Sequence, residues 1–185
     1  RPLALPGPLS RSFRSGAVEG AVGLAEKPLV SLIPTPAGHY LNLKVEKIGF
    51  NAFSMDYLLE YPVPGGVPQG VPGSVNLGGK KEFEAELLLG SESSGKFRYD
   101  EGVEEGTLTF RFRDEDGQLL AKFETEFFLK SKTDLLSSPD GKFSYEFEKK
   151  QDSYFVIMNT IGLPGAFPGE IMEGYGVFSS DKNKL

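Results

Sequence analysis

Cysteine and tryptophan are absent from the 185 residues, and histidine occurs once, as His39. Without cysteine the chain can form no disulfide and can supply neither a thiol nucleophile nor a thiolate metal ligand. A single histidine excludes metal sites and proton relays that need several imidazoles. The lack of tryptophan removes the usual stacking surface for sugars, although seven tyrosines remain. These absences exclude several classes of enzyme and metalloprotein.

Positive charge and long apolar runs are also scarce. The net charge is -6, which argues against a nucleic-acid partner because phosphate binding needs a basic surface. No apolar run approaches the roughly 18 residues that would span a bilayer. The first residue is Arg1, not methionine, so we expect a signal peptide or lipid anchor upstream of residue 1.

The strongest pattern present is the alternation of apolar and polar residues across residues 106–130. Two strands are indicated, because successive side chains of a strand point to opposite faces. The apolar phase contains Leu108, Phe110, Phe112, Leu119, Ala121, Phe123, Thr125, Phe127 and Leu129. Asp116-Gly117 between them can supply the positive φ angles of a tight turn. The sequence therefore predicts an antiparallel hairpin with one face in the core.

Further strands are predicted on both sides of this hairpin by the same kind of pattern. They cover residues 29–33, 40–48, 53–61, 81–89, 96–99, 142–149, 154–159 and 171–179. The total of eight to ten strands, without a helical stripe, favours an all-β fold, an antiparallel two-sheet β-sandwich. Residues 154–159 are apolar on both faces, as in a central strand that is covered on both sides.

The chain divides into a leader, a body and a tail. Residues 1–27 lack periodicity and are expected to be a flexible leader or tether, residues 28–180 the sandwich domain, and residues 181–185 a polar tail. An alternative reading of residues 16–24, which are small and apolar, is a strand that completes a neighbouring subunit's sheet. The wider segment 16–33 is accordingly a candidate for self-association.

Proline and glycine are concentrated in residues 63–74, which contain the tetrads V-P-G-G, V-P-Q-G and V-P-G-S. Pro followed by Gly favours a type II turn. We predict a mobile, turn-rich loop here, with a recognition loop as the alternative. Residues 90–95 are predicted to form a serine-rich turn.

Acidic clusters are the only candidates for a metal site. Asp100 and Glu101 precede the central hairpin, and Asp114 and Asp116 lie at its tip. Calcium takes six to eight oxygen ligands, usually from loops, so these four residues are candidate calcium ligands if the fold brings them together. The spacing matches no EF-hand. The alternative is solvated acidic tips and no cofactor.

Catalytic motifs are missing from the sequence. The glutamates at positions 82, 84 and 86 could form paired carboxylates for glycoside hydrolysis, but alternate glutamates on a solvent face are more typical of a soluble sheet. Neither a G-x-S-x-G elbow nor a phosphate-binding G-x-x-x-x-G-K-[ST] loop occurs. The sequence therefore predicts that the protein is not an enzyme.

The strand F-S-M-D-Y-L-L-E-Y at residues 53–61 and the central hairpin resemble immunoglobulin-like and fibronectin-III-like sandwiches. The segments L-L-L-G-S, F-R-Y-D-E-G-V and T-E-F are similar to those of uncharacterised secreted or lipid-anchored proteins of uncultivated bacteria. The antibody-type cysteine pair and buried tryptophan are missing, so no antibody hallmark applies. The resemblance implies an extracytoplasmic sandwich and no known activity.

We therefore expect a non-catalytic, secreted or cell-surface domain that mediates structural or adhesive contacts at the cell envelope with an unidentified protein or surface partner. One alternative is a carbohydrate- or calcium-binding module that uses the V-P-G-G loop, the acidic loops and exposed tyrosines. Another is a subunit of an extracellular filament or sheath, whose leader completes a neighbour's sheet.

Overall fold

The computed structural model describes residues 22–23, 26–138, 140–165 and 174–182. This part is all-β, with 58% of its residues in strands and no α-helix, and none of it is a helix able to cross a membrane. The strands are β1 (Leu29–Pro34), β2 (Tyr40–Glu46), β3 (Ser54–Tyr61), β4 (Gln69–Asn76), β5 (Phe83–Leu88), β6 (Gly90–Ser93), β7 (Lys96–Tyr99), β8 (Glu105–Arg113), β9 (Leu119–Lys130), β10 (Thr133–Ser137), β11 (Ser144–Gln151), β12 (Phe155–Asn159) and β13 (Tyr175–Ser179).

The strands form four antiparallel sheets. The largest has the order β13-β12-β9-β8-β3-β4, and a second has the order β1-β2-β5. Two hairpins, β6-β7 and β10-β11, are two-stranded sheets of their own. The predicted central hairpin, β8-β9, lies in the middle of the large sheet, with Phe110 opposite Phe123.

Three of the thirteen strands lie where the sequence predicted none, so the prediction of eight to ten strands is too low. β4 occupies the second half of the proline- and glycine-rich segment, β6 occupies the predicted serine-rich turn, and β10 had no predicted counterpart. Pro72 is tolerated in β4 because an edge strand has one side without ladder partners. Gly73 is shielded by the ring of Tyr57, its partner across the strand pair.

Only the first tetrad forms the turn that Pro-Gly favours. The N–H of Gly66 donates to the carbonyl of Val63 at 3.0 Å, and Gly65 has a φ of 69°. The chain is extended from Gln69 onwards, so the predicted turn-rich loop is confined to the beginning of the segment.

The turn of the central hairpin also differs from the prediction. The N–H of Asp114 donates to the carbonyl of Gln118 at 3.0 Å, and the N–H of Gly117 donates to the carbonyl of Asp114 at 3.2 Å. Only Gly117 has positive φ, at 79°, as in a three-residue loop with a glycine bulge. The register also shifts between Phe112 and Arg113, so that Phe112 pairs with Ala121 but Arg113 pairs with Leu119. Leu119 is 36% exposed, although its phase predicted a core position.

The main core contains side chains from both larger sheets. Buried residues from β1 and β2, such as Leu32 and Leu43, belong to the same cluster as Phe110 and Phe127 of the central hairpin. Burying apolar surface contributes about 25 cal/mol per Å², so this shared cluster is the main source of cohesion between the two sheets.

β12 is buried on both faces, as its sequence predicted. Val156 and Met158 belong to the main core, whereas Phe155 and Ile157 join Leu136 of β10 in a second cluster. The β10-β11 hairpin therefore covers the outer face of the large sheet near β12.

The leader prediction falls largely on residues 1–21, which lie outside the described part, as do residues 24–25. Val22 packs against the main core, and the carbonyl of Glu26 accepts a hydrogen bond from the N–H of Gly49 at 3.1 Å. Contacts with the body thus begin before Pro28. Of the predicted tail, only Asp181 and Lys182 are described.

Candidate functional site

The β6-β7 hairpin, residues 90–99, is an exposed projection that we call the arm. Ser91 to Tyr99 are all exposed, although both strands are regular. Its two-residue turn has positive φ at Ser94 (52°) and Gly95 (74°), the combination of a type I′ turn, whose twist suits a hairpin. A two-stranded hairpin is marginally stable alone, so the arm depends on contacts at its base.

An aromatic row lies on one face of the arm and consists of Phe97, Tyr99 and His39. Phe97 and Tyr99 share a face because they are two residues apart in β7. Their ring centroids are 6.3 Å apart with planes 13° from parallel, and the ring of His39 stacks on that of Tyr99 at 3.8 Å and 12°. Phe97 is 52% exposed and Tyr99 is 38% exposed. The row is ordered by its own contacts yet remains open to solvent.

The aromatic row continues onto the three-stranded sheet. Tyr40 lies edge-on to Tyr99 at 6.3 Å and pairs with Leu88 in β5. Loss of hydration around its hydroxyl, followed by the influence of Tyr99 and Glu86, raises the pKa of Tyr40. Tyr40 is therefore a neutral phenol at physiological pH and extends the surface with a hydroxyl that can donate or accept.

The opposite face of the arm carries cationic side chains. Lys96 and Arg98 alternate with the aromatic residues along β7, and Ser91 and Ser93 lie opposite them in β6. The arm therefore separates an aromatic face from a basic face, on a protein whose net charge is negative.

A buried tyrosine anchors the base of the arm. Tyr61 is 1% exposed, and its hydroxyl donates to the Asp100 carboxylate at 3.0 Å. Burial, followed by the neighbouring Asp100 carboxylate, raises the pKa of Tyr61. The N–H of Asp100 also donates to the carbonyl of Leu89 at 3.0 Å. Asp100 thus joins the residues on both sides of the arm to the core.

The four candidate calcium ligands do not come together. Asp100 and Glu101 lie near the end of β3, whereas Asp114 and Asp116 lie beyond Arg113, which pairs with the start of β3. A strand of that length separates the pairs by roughly 20 Å.

Asp114 has a local role at the hairpin tip. Its carboxylate accepts hydrogen bonds from the N–H groups of Asp116 (3.1 Å) and Gln118 (2.8 Å). The tip borders a cleft of about 630 Å³ that also contains Glu115 and Asn51. Among the described residues no group of three or more acidic or histidine side chains is placed to hold a metal. The four-residue calcium site that the sequence suggested is therefore divided between the two ends of β3.

Sequence reasoning missed the aromatic row. Nothing near His39 in the sequence indicates a stacking partner, because that partner, Tyr99, is 60 positions away (99 minus 39). The available signal was F-R-Y in β7, two aromatic residues on one phase of a strand otherwise made of polar residues.

Comparison with known proteins gives no relative: no family model, no curated protein and no solved structure matches the chain.

Proposed function

We propose that the chain is a non-catalytic, extracytoplasmic β-sandwich domain that makes adhesive contacts at the cell envelope, and that the arm is its contact element. The observation that carries the proposal is the aromatic row, because Phe97 and Tyr99 are ordered by stacking while 52% and 38% exposed. Exposed aromatic clusters of this kind mark interaction surfaces.

The architecture proposed for this domain is an immunoglobulin-like sandwich of the three-stranded and six-stranded sheets, with the β10-β11 hairpin as an added layer. The main core supports this, since it contains buried residues of both sheets. An extracytoplasmic location is supported only by the resemblance to secreted and lipid-anchored proteins.

The proposed ligand of the arm is a carbohydrate ring. The C–H groups of one sugar face carry partial positive charge and suit the negative face of an aromatic ring. Phe97 ends the row and offers such a face, with Glu92 opposite it in β6, while Tyr40 adds a hydroxyl beside Tyr99.

Pairing of two arms with each other is less favourable. If β7 paired antiparallel with β7 of a second copy, with Phe97 opposite Phe97, then Lys96 of each copy would lie opposite Arg98 of the other. Like charges opposite one another destabilise a strand pair, and lysine on an edge strand discourages such pairing.

Co-sedimentation with insoluble chitin, cellulose and peptidoglycan sacculi tests the proposal. We expect retention on at least one of these glycans, and we expect Phe97→Ala to weaken binding roughly two- to tenfold, because an aromatic contact contributes about 0.5–1.5 kcal/mol. The matched control is Tyr145→Ala, since Tyr145 on β11 is also 52% exposed.

The control variant should bind like the unaltered chain. Retention on none of the three glycans would rule out the carbohydrate ligand. An equal loss of glycan binding in both variants would show that the arm is not the contact surface.

A further inference from the structure

A groove runs between the free edges of β4 and β5. β4 is the last strand of the six-stranded sheet and β5 is the last strand of the three-stranded sheet, and they do not pair with each other. One end of this groove opens into a space of about 810 Å³, lined by residues that include Val75, Lys81 and Phe83. Each edge therefore offers backbone groups to an additional strand.

Part of the groove is lined by apolar side chains that are only partly covered. The rings of Tyr57 and Phe83 are 5.6 Å apart. Val71 and Val75 of β4 and Ala85 of β5 alternate along the two edges and are half-buried against the main core. Such alternation suits an extended segment with small side chains on one face.

The outer face of β5 is acidic. Glu82, Glu84 and Glu86 are all exposed, and the only ion pair they make among the described residues joins Glu84 to Lys44 at 3.3 Å. An occupant of the β5 edge that carries positive charge would gain from this row.

The described chain begins beside the same end of the groove. The carbonyl of Glu26 accepts from the N–H of Gly49, and the N–H of Ile48 donates to the carbonyl of Lys81, both at 3.1 Å. Glu26 therefore lies at the end of the three-stranded sheet where β5 begins.

We propose that the free edge of β5 is a strand-acceptor site, and that its occupant is the chain's own segment 11–21. This segment contains Arg11 and Arg14 against one acidic residue, Glu19, and otherwise mostly small residues. Its ten peptide steps reach about 33 Å, whereas the six residues of β5 extend about 20 Å. Because Glu26, which follows the segment, lies near the start of β5, the segment would add antiparallel to β5. The proposal is independent of the arm and its ligand.

Paramagnetic broadening in the full chain tests this, since a chain without cysteine accepts a single labelling site. A nitroxide on Ser15→Cys is expected to remove most of the amide signal intensity of β5. The amides of β11, beyond the opposite face of the six-stranded sheet, should keep theirs. Glu82→Lys with Glu86→Lys should reduce the broadening severalfold. Glu146→Lys with Glu148→Lys is the matched control, an exposed pair of glutamates on β11 with the same change of charge, and should leave the broadening unchanged.

A mixed sample identifies the source of the segment. It combines spin-labelled chain without isotope and isotope-labelled chain without the spin label, and it should show no broadening of β5. Broadening of β5 in this mixture would assign the site to a second copy and overturn the proposal. Unchanged β5 signals in the first sample, in which every chain carries both the isotope and the nitroxide, would also overturn it.

Discussion

At the scale of single side chains, Asp140 connects the β10-β11 turn to β13. Its carboxylate accepts from the hydroxyls of Ser138 and Tyr175 and from the N–H of Lys142. These hydrogen bonds, that of Ser138 first, lower the pKa of Asp140 from 3.8 to about 2. A carboxyl whose pKa is lower in the folded state stabilises the fold above its unfolded pKa, and this contribution disappears as the pH falls through the folded pKa.

Tyr175→Phe is predicted to destabilise the chain in a pH-dependent way. It removes the hydroxyl and keeps the ring stacked on Phe143 at 5.8 Å, so the pKa of Asp140 should move back towards 3.8. Urea unfolding should show the full difference from the unaltered chain at neutral pH, shrinking between about pH 4 and pH 2. Tyr145→Phe on the same hairpin is the control. A difference that stays constant with pH would contradict the role of Asp140.

At the scale of elements, the hydrophobic pattern predicted ten of the strands. Alternation of apolar and polar residues indicated most of them, because burial of one face imposes a period of two, and a run that is apolar on both faces indicated β12. β4 was not predictable in this way, since Pro72 and Gly73 indicate turns. Its extended form depends on tertiary context: a free edge that tolerates Pro72, and the ring of Tyr57 over Gly73.

The central turn provides an element-scale prediction. Gly117→Ala should lower the free energy of unfolding by about 1–2 kcal/mol, because in the left-handed region the Cβ of an L-residue lies too close to the carbonyl oxygen that follows it. Asp116→Ala should leave the free energy of unfolding nearly unchanged. Chemical denaturation of the two variants measures both values. Comparable losses would indicate that Asp116 also needs positive φ, as the two-residue turn expected from the sequence requires.

The candidate site was less predictable than the strands. Each residue of the aromatic row has an ordinary local pattern, and the row exists only because the fold places His39 and Tyr40, at the start of β2, against Tyr99 of β7. Which aromatic residues remain exposed is decided by packing: Phe110 is buried, while Phe97, with a similar alternating environment, is 52% exposed.

For the molecule as a whole, the separation of the acidic pairs leads to a prediction about calcium. Each pair supplies fewer oxygens than the six to eight that calcium takes, so thermal melts with excess calcium and with chelator should coincide. A ligand at a hundred times its dissociation constant would add about 2.7 kcal/mol, which shifts the midpoint by several degrees. Such a shift would restore the calcium hypothesis, and Asp100→Asn and Asp114→Asn would then identify which end binds.

The strand order of the six-stranded sheet has a kinetic consequence. It is three hairpins side by side, β3-β4, β8-β9 and β12-β13, and each can pair locally. Joining β3 to β8 requires closing the chain across β5, β6 and β7, and joining β9 to β12 requires closing it across β10 and β11. Loop closure of this kind slows folding to the order of milliseconds to seconds. During synthesis, β3 must therefore wait with one edge open until the residues of β8 have emerged from the ribosome.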